Sequence, residues 1–113
     1  MKIAIAQYNP KVGDLKGNIS KTIEFIEKAK ERDCDLVVFP ELSLTGYPPR
    51  DLLLRDGFLK ACDKALEEIM PSIQGIGALI GTVIDDGNGF LLYNSALLIQ
   101  DGEIIGLLER SIT

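Results

Sequence analysis

Two short apolar runs, KIAIAQ at residues 2–7 and LVVF at 36–39, flank a stretch of helical periodicity. That order constrains the fold more than any other feature of the chain. Isoleucine and valine suit a pleated, half-buried surface. Asn9-Pro10 ends the first run, because the residue before a proline avoids the helical region. Asn18 is placed to cap a helix over residues 19–32, with Ile19, Ile23, Ile26 and Ala29 as its apolar stripe. The second run sits between Asp35 and Pro40 without polar alternation, as a strand buried in a parallel sheet would. The three segments make a βαβ unit, which is normally right-handed.

Beyond Pro40 the pattern continues. Asp51 is placed to cap a short turn through Leu54. A helix over residues 58–70 presents Leu59, Cys62, Leu66 and Ile69 on one face, and Pro71 marks its end. Residues 78–84, 90–93 with 95–99, and 104–108 read as strands. DDGNG at 85–89 and Gln100-Asp101-Gly102-Glu103 read as turns. The expected fold class is α/β, with the order βαβαβ followed by a β-meander. A length of 113 residues suits one compact domain.

Composition removes several function classes. Hydrophobic residues make up 46% and charged ones 26%, as in a globular protein. The net charge is −5 and the lysines and arginines are scattered, so no nucleic acid partner is expected. The apolar runs are far too short to span a bilayer, and the opening residues do not make a secretory signal. The expectation is therefore no membrane partner and a cytoplasmic location. The chain has no histidine, which rules out a Ser-His-Asp triad, a Cys-His pair or a histidine metal site within it. Cys34 and Cys62 read as reduced packing residues, and no metal is expected. GALIG at 77–81 lies inside a strand and does not match a dinucleotide fingerprint.

The chemistry is concentrated in FPELSLTGYPPRDLLLR, residues 39–55. Glu41 falls at the carboxyl end of the second strand, where ligands bind in open α/β sheets near a switch in strand order. Apolar residues precede it, and burial makes a carboxyl group a better base near neutral pH. Pro48 and Pro49 stiffen the loop that follows. Gly46 permits a positive φ or a close backbone approach, and Tyr47 is a suitable pocket wall. The residues leave a second reading equally open, in which Glu41 caps a helix-like segment or pairs with Arg50 on the surface.

The same stretch resembles the glutamate motif of the nitrilase, or carbon–nitrogen hydrolase, superfamily. Its YPPRDLLLR extension is similar to the N-terminal glutaminase domain of glutamine-dependent NAD synthetases. KIAIAQYNPKVGDLKGN, DLVVFPE and YNSALLIQDGEIIG resemble further parts of that domain. The resemblance implies the N-terminal half of an αββα sandwich, with residues 1–113 forming a single partial domain and the synthetase domain absent. It also implies a Glu-Lys-Cys site in which a thiolate attacks glutamine and releases ammonia. Glu41 would be the general base and Tyr47 a substrate-binding residue of the glutamine pocket. The ammonia would pass to the synthetase domain for amidation of an ATP-activated dinucleotide. No cofactor is implied for this chain; ATP and magnesium belong to the synthetase domain.

The chain departs from the family at two positions. By offset, Arg110 falls at or beside the expected lysine, and an arginine fork is not a mobile ammonium. Neither Cys34 nor Cys62 matches the nucleophile. The chain alone is therefore expected to be inactive, with the nucleophile outside these residues. Half a sandwich leaves an apolar sheet face uncovered, so self-association is expected. The alternatives are a fragment of another amidase of the superfamily, or a non-catalytic interaction module of the same shape.

Overall fold

The computed structural model describes residues 1–46, 57–85 and 92–111. Five strands form one mixed sheet, β1 (Ile3–Ile5), β2 (Leu36–Val38), β3 (Gly77–Asp85), β4 (Leu92–Gln100) and β5 (Glu103–Ser111). The first three are mutually parallel and the last two join antiparallel, in the spatial order β1-β2-β3-β4-β5. Helix α1 (Leu15–Glu31) connects β1 to β2, and α2 (Phe58–Ile69) precedes β3. Pro71 ends α2 in a single 3₁₀ turn, Met70–Ser72. The expected α/β class and element order are those observed.

The strand order is sequential, so the described sheet has no switch point of the kind expected beside Glu41. What changes at β3 is strand direction. A hairpin with Asp101 at φ 49° and Gly102 at φ 80° joins β4 to β5, since a two-residue turn matching the sheet twist needs two positive φ values. A bulge at Leu98/Ile99 shifts the register between these strands, and β5 runs further than its apolar segment suggested.

Helix α1 starts one turn before the expected position. Asp14, not Asn18, is the cap, and its carboxylate accepts from the Gly17 amide at 3.0 Å. Asn18 is instead buried and joins two loops. Its carboxamide nitrogen donates to Lys11 O (3.0 Å) and Leu44 O (2.9 Å), and its oxygen accepts from Lys11 N (3.1 Å). A short polar residue between two caps' worth of turn signals can serve either role. Here the buried carbonyl of Leu44 requires a donor, and that need decides it.

Both helices lie on one face of the sheet. Ala6, Val37, Phe39, Ala78, Ile80, Leu97 and Ile99 meet Ile26 and Ala29 of α1 and Ala65 and Ile69 of α2 in one core. Alternation along the strands sends Ile3, Ile5, Leu36, Val38, Leu79, Leu98 and Leu108 to the other face. Ile5 is 70% and Leu108 74% exposed, so this face is apolar and open in the isolated chain. Among the described residues no helix is long and apolar enough to cross a membrane.

Candidate active site

The loop that carries Glu41 leaves β2 by a short detour. Phe39 N donates to Leu79 O at 3.0 Å, continuing the β2–β3 ladder, and Leu44 N donates to Gly81 O at 3.0 Å, resuming it. Residues 40–43 lie between these bonds and bulge across β3. Gly81 is what permits this. A Cβ there would lie 3.0 Å from Pro40 O and closer still to Leu42 N, both rigid backbone atoms. The Ser43 hydroxyl brackets the same residue, accepting from Gly81 N (3.3 Å) and reaching Gly81 O (3.5 Å). Gly81 therefore marks a close backbone approach inside a strand, one of the recognised reasons for a strand glycine.

The detour is anchored at its far end. Gly46 takes φ 69° and faces the Val12 backbone, where a Cβ would come within 2.9 Å of Val12 Cα. Gly13 N donates to Thr45 O at 3.0 Å. Leu42 holds φ 49°, a left-handed conformation that costs a non-glycine residue about 1–2 kcal/mol. Strained backbone of this kind persists only where the surroundings over-determine it.

Carried across β3, Glu41 meets β4 and β5. Asn94 of β4 and Arg110 of β5 are register partners, and both donate to the same carboxylate oxygen, Glu41 Oε1. The Arg110 contact is an ion pair of 2.8 Å. The two side chains are 75% and 46% exposed, so the pair adds at most about 1 kcal/mol of stability. Its significance is placement. The sequence offset puts Arg110 at or beside the expected lysine, and the structure sets its guanidinium on Glu41. The sequence reading gives Asn94 no role, and it gives Gly81 only a place in GALIG, within a strand. Asn94 stands in the YNSA stretch as a polar residue within an apolar strand, and Gly81 as a glycine within one, so signals for both existed.

The Glu41 side chain is about half exposed. Arg50, the alternative surface partner, lies outside the described residues, as do Tyr47, the segment Asp51 was expected to cap, and residues 86–91. Beside Glu41 is a cleft of about 280 Å³ formed with Tyr8, Asn9, Pro10, Val12, Pro40 and Gly46. A larger groove of about 510 Å³ at the ends of β1 and β2 adjoins it through Tyr8, Asn9 and Pro40. Tyr8 stacks on Phe25 at 5.4 Å and meets Phe39 edge-on at 6.4 Å, which stiffens this wall. Burial raises the Tyr8 hydroxyl pKa, opposed by hydrogen bonds to Thr22 and Ser43.

Both cysteines are free and buried, and neither lines these clefts. Burial, with a smaller contribution from Asp63, pushes the Cys62 thiol up to about 11. It stays protonated at neutral pH and is a poor nucleophile. Among the described residues no cluster of His, Cys, Asp or Glu could hold a metal ion.

Comparison with known proteins bears on this arrangement. The sequence profile of the carbon–nitrogen hydrolase family matches residues 2–112. The glutamine-dependent NAD(+) synthetase of Thermotoga maritima is 40% identical over 112 residues, covering 97% of this chain and 19% of that protein. The same enzyme of Xylella fastidiosa is 43% identical over 105 residues, again reaching 19% of its length. The chain thus spans about one fifth of the curated relatives it matches. Among solved structures, the glutamine-dependent NAD+ synthetase of Acinetobacter baumannii superposes with a TM-score of 0.86 at 38% identity, over 96% of this chain and 20% of that one. A Nesterenkonia amidase superposes with a TM-score of 0.82 at 22% identity, over 97% and 42%, a likeness of fold alone.

Two outcomes test this description. Gly81→Ala should cost about 1–3 kcal/mol in urea denaturation, the usual range for overpacking, and should separate Glu41 from Asn94 in the NMR spectrum. The second concerns pH. The Cys62 thiol ionises near 9 when unfolded and near 11 when folded, so the unfolded chain loses its proton first. This contribution to stability is complete below pH 9 and is lost as pH rises through 11. In Cys62→Ala, denaturant midpoints should fall less steeply over that window than in the unaltered protein.

Proposed function

The chain belongs to the carbon–nitrogen hydrolase family, and from that premise we propose that it is the N-terminal part of the glutaminase region of a glutamine-dependent NAD synthetase. The observation that carries this reading is the placement of Glu41. A strained loop, a strand glycine and two donors from separate strands hold one carboxylate at the mouth of a cleft. That is an expensive arrangement for a surface charge pair and an expected one for a general base. Glu41 takes the proton of a thiol nucleophile and delivers it to the departing ammonia. Tyr47 contributes to the glutamine pocket. The nucleophile comes from outside these residues, since Cys62 is held as a thiol and neither cysteine lines the cleft. In the whole enzyme the ammonia amidates an ATP-activated dinucleotide, and ATP and magnesium are held by the synthetase domain.

Ammonia release from glutamine tests the reading. The 113-residue chain alone should give background values. A chimera in which it replaces the equivalent segment of the Thermotoga maritima relative should release ammonia. Glu41→Gln in that chimera should lower kcat by about 10²–10⁴-fold, the usual contribution of a general base. A fully active Glu41→Gln chimera would rule the role out.

The open apolar face belongs to the same proposal. In the isolated chain a second copy covers it, because exposed Ile3, Ile5 and Leu108 favour burial at about 25 cal/mol per Å². Sedimentation at rising concentration should show a dimer or larger species. A clean monomer at high concentration would count against self-association.

A further inference from the structure

We infer that Leu42 is the positioning residue of Glu41, a buried plug that fixes the turn presenting the carboxylate. The inference rests on the reading of Glu41 as a general base. Ser43 N donates to Pro40 O at 3.1 Å, which closes a β-turn with Glu41 and Leu42 as its two central residues. Leu42 holds φ 49°, whereas Glu41 does not take a positive φ. A turn with positive φ at its third residue alone is of the type II kind, and glycine is the residue that usually stands there. The chain places a leucine at a glycine position, immediately after the residue that carries the chemistry.

A second buried cluster explains the leucine. Leu42 is buried together with Phe58 and Cys62 of α2 and Val83 of β3, and Leu15 of α1 and Leu92 of β4 pack against them. This cluster is separate from the main core, which takes Leu44 two residues further on. The hydrogen bonds of Ser43 and Leu44 to Gly81 fix where the detour ends. They leave the turn before it free to rock. Burial of the Leu42 side chain removes that freedom, because the plug is held in the cluster while the Leu42 amide is held over Gly81. Glycine would relieve the positive φ and give up the plug, leaving the turn more conformations to occupy. With the turn fixed, Glu41 is directed toward Asn94 and Arg110. Backbone strain held by packing beside a functional group is the pattern of a preorganised site.

The test uses the isotopically labelled 113-residue chain and reads by NMR the cross-peak between the Glu41 side chain and the Asn94 side-chain amide. It should be lost in Leu42→Ala and in Leu42→Gly, and kept in Leu42→Met, whose unbranched side chain refills the site. Ile26→Val, which thins the main core, should lower the urea midpoint and leave the cross-peak in place. In the chimera, Leu42→Ala and Leu42→Gly should lower kcat about ten- to a hundredfold at unchanged KM, as a small misplacement does, and Leu42→Met should restore it. A Leu42→Gly chain that keeps the cross-peak overturns the inference, since the backbone alone would then suffice. So does a Leu42→Met chain that loses it, an Ile26→Val chain that loses it equally, or an unchanged kcat in the Leu42→Ala chimera. Should Leu42→Ala and Leu42→Gly fail to fold, Phe58→Leu decides, because it thins the opposite wall of the cluster. It should weaken the cross-peak, and an unaltered one overturns the inference. The spectra need no turnover, so an inactive chimera would sink the glutaminase reading and leave this inference to be judged by the cross-peak.

Discussion

The contact between the Glu41 loop and the backbone of Gly81 is the constraint on which the rest of the site depends. A parallel β2–β3 ladder would ordinarily run on past Phe39 and leave the next side chains alternating beside the sheet. Here four residues leave the ladder and cross the neighbouring strand. The crossing is possible only where that strand has no side chain, since backbone atoms of Pro40 and Leu42 occupy the place of a Cβ. Glu41 comes from the second strand and still reaches the fourth and fifth.

Two supports share the work of holding the detour. On one side Ser43 and Leu44 hydrogen-bond to Gly81. On the other the buried Asn18 carboxamide ties Leu44 to the loop before α1. Both supports are neutral, geometric and largely shielded, whereas the charged contacts to Glu41 itself are open to solvent. The division is physically sensible. Buried hydrogen bonds position the backbone whatever the pH, and the ionisable group keeps access to a substrate.

Much of the fold was legible in the residues because it depends on local periodicity. The β1–α1–β2 unit follows from apolar spacing, and the end of α2 follows from Pro71. The β4–β5 turn follows from Asp101-Gly102. The start of α1 was read one turn late because Asp14 and Asn18 are both good caps and only their tertiary partners separate them. Of the site, Glu41 was legible through its motif. Asn94 and Arg110 were not assigned, because they lie 53 and 69 positions further along the chain. Only strand pairing brings them to one rung.

By itself the sequence determined the class of fold, the family and the carboxylate on which a glutaminase reading rests, since each is written in short-range pattern or motif. The tertiary structure decided where that carboxylate goes. It is held on one oxygen by Asn94 of β4 and Arg110 of β5. It also decided that Cys62 is an inert thiol, because burial is a property of packing and not of neighbours in the chain.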